Sequence, residues 1–249
     1  MKRMKQELPI ADCRLPIKRQ GRAVLSAGNA RGWGFTLIEL LVVIAIMAIL
    51  ASFTMVVLNG ISKTKYRSIA NAELVQIENA LEDFKAKYGV YPPSNANLRG
   101  MTLPPLYYEL AGVTNNGTDF VTLDNSARIP VTQVPAALGV GGFVNCSTGS
   151  GEDAKPAKNF LQGLKQNRIG SVVAPISGGF AVSNLVTSVG GPDGRYMPLG
   201  IPNVNPFRYI YPGTNNPNSY DLYVQIMISG QTYLICNWSK EVMKNSPLP

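Results

Sequence analysis

One carboxylate stands apart from its surroundings. Glu39 is the single ionisable side chain in the 24-residue run Phe35–Leu58, FTLIELLVVIAIMAILASFTMVVL. A charge so placed is expensive in lipid and by default asks for a partner. Thr36-x-x-Glu39 matches a capping box, which would satisfy the carboxylate within its own chain. Other reactive side chains are few. The cysteines are Cys13, Cys146 and Cys236, and histidine is absent. That excludes Ser-His-Asp and Cys-His nucleophiles, histidine metal sites and histidine pH switches. Ser62-Lys63-Thr64-Lys65 fits a Ser-x-x-Lys pattern, but no companion motif supports it. Gly139–Gly142 lacks the spacing and the strand-helix context of a phosphate loop. The expectation is a chain that is not an enzyme.

The element that must hold Glu39 is a helix. At about 1.5 Å per residue, 24 residues cover about 36 Å, against a hydrocarbon layer of about 30 Å. In lipid the backbone has to satisfy its own hydrogen bonds, so a single span is helical. The run is apolar on every face rather than along one stripe, which argues against a buried core helix. It also continues past Ala51-Ser52 to Leu58, longer than the core of a cleaved signal peptide. Residues 1–34 carry eight Lys or Arg against Glu7 and Asp12, a net +6 of the chain's +8. The positive-inside bias therefore predicts residues 1–34 in the cytoplasm and the chain after about residue 60 outside. With a net charge of only +2 on the remainder, no nucleic-acid partner is expected.

The periodicity changes after the apolar run. Tyr66, Ile69/Ala70, Leu74, Ile77, Leu81, Phe84 and Tyr88 recur at steps of three or four, an amphipathic stripe that predicts a packing face. Gly89 supplies the stop before Tyr91-Pro92-Pro93. Leu103–Leu110 predicts a short helix, and Phe120–Leu123, Ser171–Pro175 and Phe180–Val186 predict short strands. Asn115-Asn116-Gly117, Gly139–Gly142 and Gly191–Gly194 read as turns. Near the end, Tyr220–Ile228 and Gln231–Trp238 flank Ser229-Gly230, an antiparallel hairpin with residues 220, 222, 224, 226 and 228 on one face.

The junction Arg31-Gly32-Trp33-Gly34-Phe35-Thr36-Leu37-Ile38-Glu39 closely resembles the processing site of type IV prepilins and type II secretion pseudopilins. Tyr88-Gly89-Val90-Tyr91-Pro92, Asn205–Gly213 and the closing Cys236-Asn237-Trp238 are similar to phrases of the major pseudopilin. The resemblance implies that prepilin peptidase cuts between Gly34 and Phe35 and then N-methylates Phe35. It implies that Glu39 pairs with the N-terminal amine of a neighbouring subunit during assembly. An unpaired buried charge is costly, so such pairing favours correct docking of each added subunit.

The implied partners are further copies in a filament, the peptidase, and an inner-membrane assembly platform driven by a cytoplasmic ATPase. The implied place is the bacterial inner membrane as a single pass with a cytoplasmic N-terminus, then an extracytoplasmic filament. The corresponding fold is α+β. A long N-terminal helix, membrane-spanning in its first half and amphipathic in its second, packs against a small antiparallel sheet. The expected organisation is a removed leader at 1–34, a transmembrane and assembly helix at 35–58 and its amphipathic continuation at 59–90. A loop-rich variable region at 91–204 and C-terminal strands at 205–249 follow.

A type IV pilus subunit for adhesion or DNA uptake, and a tethered binding ectodomain that never polymerises, stay open as alternatives. With Cys13 lost in the leader, Cys146 and Cys236 could oxidise outside the membrane or remain two buried thiols. Family members often hold calcium in an acidic C-terminal loop. Between Ile228 and Trp238 this chain has no Asp or Glu, so no cofactor is expected from the residues, and calcium stays open only through the resemblance; Asp193 and Asp221 could contribute to some other site but read as turn or surface residues.

Overall fold

The structure, a computed structural model, describes residues 35–95, 103–147, 155–173, 181–189, 204–241 and 243–246, with residues 53–62 described as helix backbone. The leader, with Gly34 and Cys13, and the expected turn at 191–194 with Asp193 lie outside the described residues. The chain divides into two units, the first ending at Ala51 and the second running from Ser52.

Helix α1 spans Leu37–Tyr88. It ends where Gly89 takes φ +77° and donates its N–H to the Lys85 carbonyl at 2.7 Å, a left-handed stop that a side chain resists. Within the first unit, every described side chain from Phe35 to Ala51 is exposed. Among the described residues no helix is long and apolar enough to cross a membrane.

In the second unit the expected stripe is the core face of α1. Ala70, Leu74, Ile77, Leu81 and Phe84 are buried, and Tyr66, Ile69 and Tyr88 pack against the same cluster. That cluster continues into Leu222, Val224, Ile226 and Ile228, so one apolar body joins the helix to the C-terminal strands. These strands form an antiparallel sheet of order β10-β9-β8-β7, with β7 Arg208–Ile210, β8 Asp221–Ile228, β9 Gln231–Cys236 and β10 Met243–Lys244. Ser229 and Gly230 turn β8 into β9 with φ of +51° and +75°, the two positive values that suit a tight hairpin. Residues 220, 222, 224, 226 and 228 are all buried, as their period predicts. The other face of β8 is not left to solvent, however. Tyr223, Leu234 and Cys236 form a second small cluster under Trp238 and Met243.

The region 91–204 carries more structure than its turn-rich composition indicates. Helix α2 (Leu106–Ala111) has all six residues buried. Strands β1 Val113–Asn115, β2 Asp119–Thr122, β3 Arg128–Pro130 and β4 Cys146–Ser147 form a sheet of order β3-β2-β1-β4, antiparallel except for the β1–β4 pair. Helix α3 (Val134–Leu138) closes on Gly139 in the left-handed conformation. Strands β5 Ile169–Val173 and β6 Ala181–Leu185 pair antiparallel, close to the two strands expected there.

Two of the family-like phrases meet in space. Tyr91 packs edge-on against Tyr211 and Tyr220 at 5.5 and 4.9 Å, and the Tyr209 hydroxyl donates to the Pro92 carbonyl at 2.8 Å. The turn after α1 is thereby seated on β7 and the residues that flank it.

Candidate functional site

The start of α1 is built by Thr36 and Glu39. The Thr36 backbone N–H and its hydroxyl both donate to Glu39 Oε2 at 2.8 Å, and the Glu39 N–H donates back to Thr36 Oγ1 at 3.3 Å. This is the reciprocal capping box, and a carboxylate in the first turn also favours the positive end of the helix dipole. The box uses one oxygen only. Glu39 Oε1 has no hydrogen-bond partner among the described residues, so capping leaves half of the carboxylate open to a cation from outside.

Around that carboxylate the surface is apolar. Phe35, Ile38, Val42 and Val43 line an open hollow with Glu39, about 330 Å³ in volume. Phe35 and Leu37 are 82 and 81 % exposed, and Leu40, Ile44, Met47 and Leu50 each expose more than half of their surface. A contiguous apolar surface of this extent marks a site that another apolar body covers. Glu39 thus lies within a face able to bury a charge pair. Gly34, the other side of the expected cut, is outside the described residues, while Phe35 is exposed and precedes the helix.

The remaining candidates fall elsewhere. Cys146 and Cys236 are both free thiols, so the disulfide left open by the sequence is not formed. The reason is their location. Cys146 lies on β4, paired in register with Val113 of β1, whereas Cys236 ends β9 in the small cluster with Tyr223 and Leu234. Burial pushes both thiols up in pKa, which keeps them protonated and poorly nucleophilic.

Asp221 is fully buried rather than a surface residue. Its carboxylate accepts the backbone N–H groups of Thr214, Asn215 and Asn216 at 2.8, 2.8 and 2.9 Å, and the Asn215 side-chain amide at 3.0 Å. Gly213 makes this loop feasible, because a Cβ there would stand 2.6 Å from Asp221 Oδ1. The carboxylate closes the loop with N–H donors, the opposite of the oxygen cage a calcium ion requires. Among the described residues no three His, Cys, Asp or Glu side chains gather to hold a metal.

Two buried polar clusters escaped the sequence reading. Glu73 sits on the core stripe of α1 between Ala70 and Leu74. Its carboxylate accepts the Thr187 hydroxyl at 2.6 Å and the Ser188 N–H at 3.1 Å, takes the Ser188 hydroxyl as well, and pairs with Arg168 Nε at 3.4 Å. Arg168 also donates to the Val186 carbonyl and to Gln76 Oε1, both at 3.1 Å. The one available signal was a carboxylate at a stripe position.

The second cluster centres on Glu109 of α2. It accepts the N–H groups of Val144 and Asn145 at 2.9 Å each, yet burial pushes its carboxyl up to about 7. The Asn145 side chain then makes four hydrogen bonds to three neighbours. Its amide donates to the carbonyls of Glu109 and Lys158, and its oxygen accepts the Tyr88 hydroxyl and the Lys158 N–H. The end of α1 is thus tied to α2 and to the chain around residue 158.

The geometry at the start of α1 belongs to a class of helix whose first turn is both capped and surrounded by uncovered apolar surface. Residues 34–55 match the prokaryotic N-terminal methylation motif. The N-terminal part of the chain is similar to type II secretion system core protein G of Escherichia coli K12. The identity is 39% over 77 residues, covering 29% of this chain and 53% of that protein. The core protein G of Vibrio cholerae is 38% identical over 72 residues, 29% of this chain and 49% of that protein. For that of Pectobacterium carotovorum the figures are 35%, 72 residues, 29% and 46%. The matched stretch is about half the length of these relatives. No solved structure matches the chain.

Proposed function

We propose that the chain is a structural subunit of a type II secretion pseudopilus and not an enzyme. In this reading prepilin peptidase cuts between Gly34 and Phe35 and methylates the new amine of Phe35. Residues 35–58 hold the precursor in the inner membrane, leader inside and head outside. An assembly platform with its cytoplasmic ATPase then draws the subunit into a filament of its own copies. Inside the bundle of apolar helices, the amine of Phe35 on one copy meets Glu39 of the next. Contacts of this head-to-tail kind grow without closing.

One observation carries the reading. The methylation motif at 34–55 coincides with a helix start whose apolar side chains are exposed all round and whose single carboxylate keeps one oxygen open. Capping a plain membrane tether occupies only one oxygen of that carboxylate, whereas a bundle of copies has a use for the other.

The test is the intact mass of the protein isolated from native membranes. The expected result is a chain that begins at Phe35 and carries one added methyl group. A chain that retains residues 1–34 and stays monomeric overturns the proposal.

A further inference from the structure

A cleft runs between α1 and the end of β9, about 310 Å³ in volume. The helix contributes Thr64, Arg67 and Ser68, which follow the three- and four-residue spacing of one helical face. The opposite wall contributes Ser239, Lys240 and Glu241. Arg67 Nε is buried with no hydrogen-bond partner among the described residues. Its guanidinium lies 5.8 Å from the centre of the Tyr233 ring, which holds the head of the side chain in place. Lys240 is exposed. A planar five-donor fork, a lysine and a row of hydroxyls converge on one hollow, and that is chemistry for a phosphate diester.

The cleft's position says what carries the phosphate. The apolar run ends at Leu58, six positions before Thr64, about 9 Å along a helix. When 35–58 spans a hydrocarbon layer, the headgroup zone begins near Leu58 and extends about 5–7 Å beyond it, which brings its outer edge within side-chain reach of Thr64 and Arg67. Lys63 and Lys65 stand in the same stretch of sequence outside the cleft, whose own lining sets Arg67 and Lys240 against a single acid, Glu241. Glu241 is exposed and its backbone N–H caps Ser239 Oγ at 3.1 Å. The next acid along the helix, Glu73, is buried and already paired with Arg168. The charge balance therefore favours an anion, and basic side chains beside a span are drawn to anionic lipid.

We infer that the cleft between Arg67 and Lys240 seats the headgroup phosphate of an anionic phospholipid in the leaflet on the head-domain side. The inference rests on the membrane reading above. The lipid would hold the base of the head domain at the membrane surface until the subunit is withdrawn into the filament.

The test uses the full chain in non-ionic detergent, titrated with soluble short-chain phosphatidylglycerol, the phosphatidylcholine of equal tails, and inorganic phosphate. The readout is hydrogen-exchange protection of residues 64–71 and 234–241. The expected result is at least tenfold tighter binding of phosphatidylglycerol than of phosphatidylcholine, with inorganic phosphate weaker than both. In R67Q/K240Q, and in part in K240Q alone, that preference falls toward unity. K63Q/K65Q keeps it.

Equal affinities for the two lipids overturn the inference. So does a preference that survives R67Q/K240Q or vanishes in K63Q/K65Q, which would mean diffuse attraction. Inorganic phosphate binding as tightly as phosphatidylglycerol shifts the ligand to a free anion and also overturns it. Carbodiimide cross-linking of Lys240 to an acid of a second copy, with no lipid selectivity, makes the cleft a protein contact instead. Carbonate extraction of native membranes is run in parallel. Release of the chain there sinks the membrane reading itself, whereas retention without lipid selectivity sinks this inference alone.

Discussion

Glu109 holds the clearest pH-sensitive charge in the head. Its carboxyl moves from an unfolded value of 4.5 up to about 7 because burial outweighs two N–H donors. The folded chain then binds this proton more tightly than the unfolded chain does. Its contribution to stability is complete below about 4.5, declines as pH rises, and levels off above about 7. Glu78 shifts in the same direction, through burial and then the charge of Glu82, so the slope of the wild type is not Glu109's alone. The expected outcome is a melting temperature that falls between pH 4.5 and 7, with a clearly smaller fall in E109Q. Identical pH profiles for the two chains would exclude this role.

Glu39 supports a second prediction at the same scale. E39A should be cut and methylated yet assemble poorly, scored by intact mass and by filament yield. E39Q keeps an acceptor for the Thr36 N–H and loses only the charge. If it assembles as badly as E39A, pairing rather than capping is what assembly needs; normal filaments from either variant refute the pairing.

Among the elements, α1 is fixed to the β5–β6 hairpin region through Glu73 and Arg168. Removing one partner leaves the other buried without compensation, at a cost of about 3 kcal/mol. E73Q and R168M should each lose about that much in urea unfolding, and E73L/R168M should lose less than the two singles combined. The Asp221 loop gives a contrasting expectation. D221A strands several buried donors and should lower stability by about 2 kcal/mol, whereas chelation with EDTA should leave the melting temperature of the unmodified chain in place. A drop of several degrees on chelation would show that a cation closes this loop after all.

Some elements could be read from the residues and others could not, for physical reasons. The stripe from Tyr66 to Tyr88 is long enough for its period to be unambiguous, and β8 alternates over eight residues before a Ser-Gly turn. Strands β1, β3, β4 and β10 have two or three residues, too few for a period to register. The clusters around Glu73 and Asn145 join residues far apart in the chain, which local patterning does not encode. Asp221 looked like a turn residue because its nearest neighbours are polar; its burial comes from the loop that folds over it. The Thr36–Glu39 box was legible, but which of its two oxygens stays open needed coordinates.

For the molecule as a whole, the proposed pseudopilus would make membrane retention and polymer growth competing fates of the same apolar helix. The second prevails only if neighbouring copies cover what lipid covered. A concentration series of detergent-purified, processed chain should show sharp, cooperative sedimentation of long particles, and E39Q should stay small. Gradual, shapeless aggregation in both would point to unspecific clumping of apolar surface. In that competition the division of labour within Glu39 has a kinetic consequence. Because Thr36 winds the first turn through Oε2 alone, an incoming copy in the proposed filament would meet a segment whose costly nucleation step is already behind it. Elongation can then proceed by collision and lateral settling, with no order to create at the tip each time.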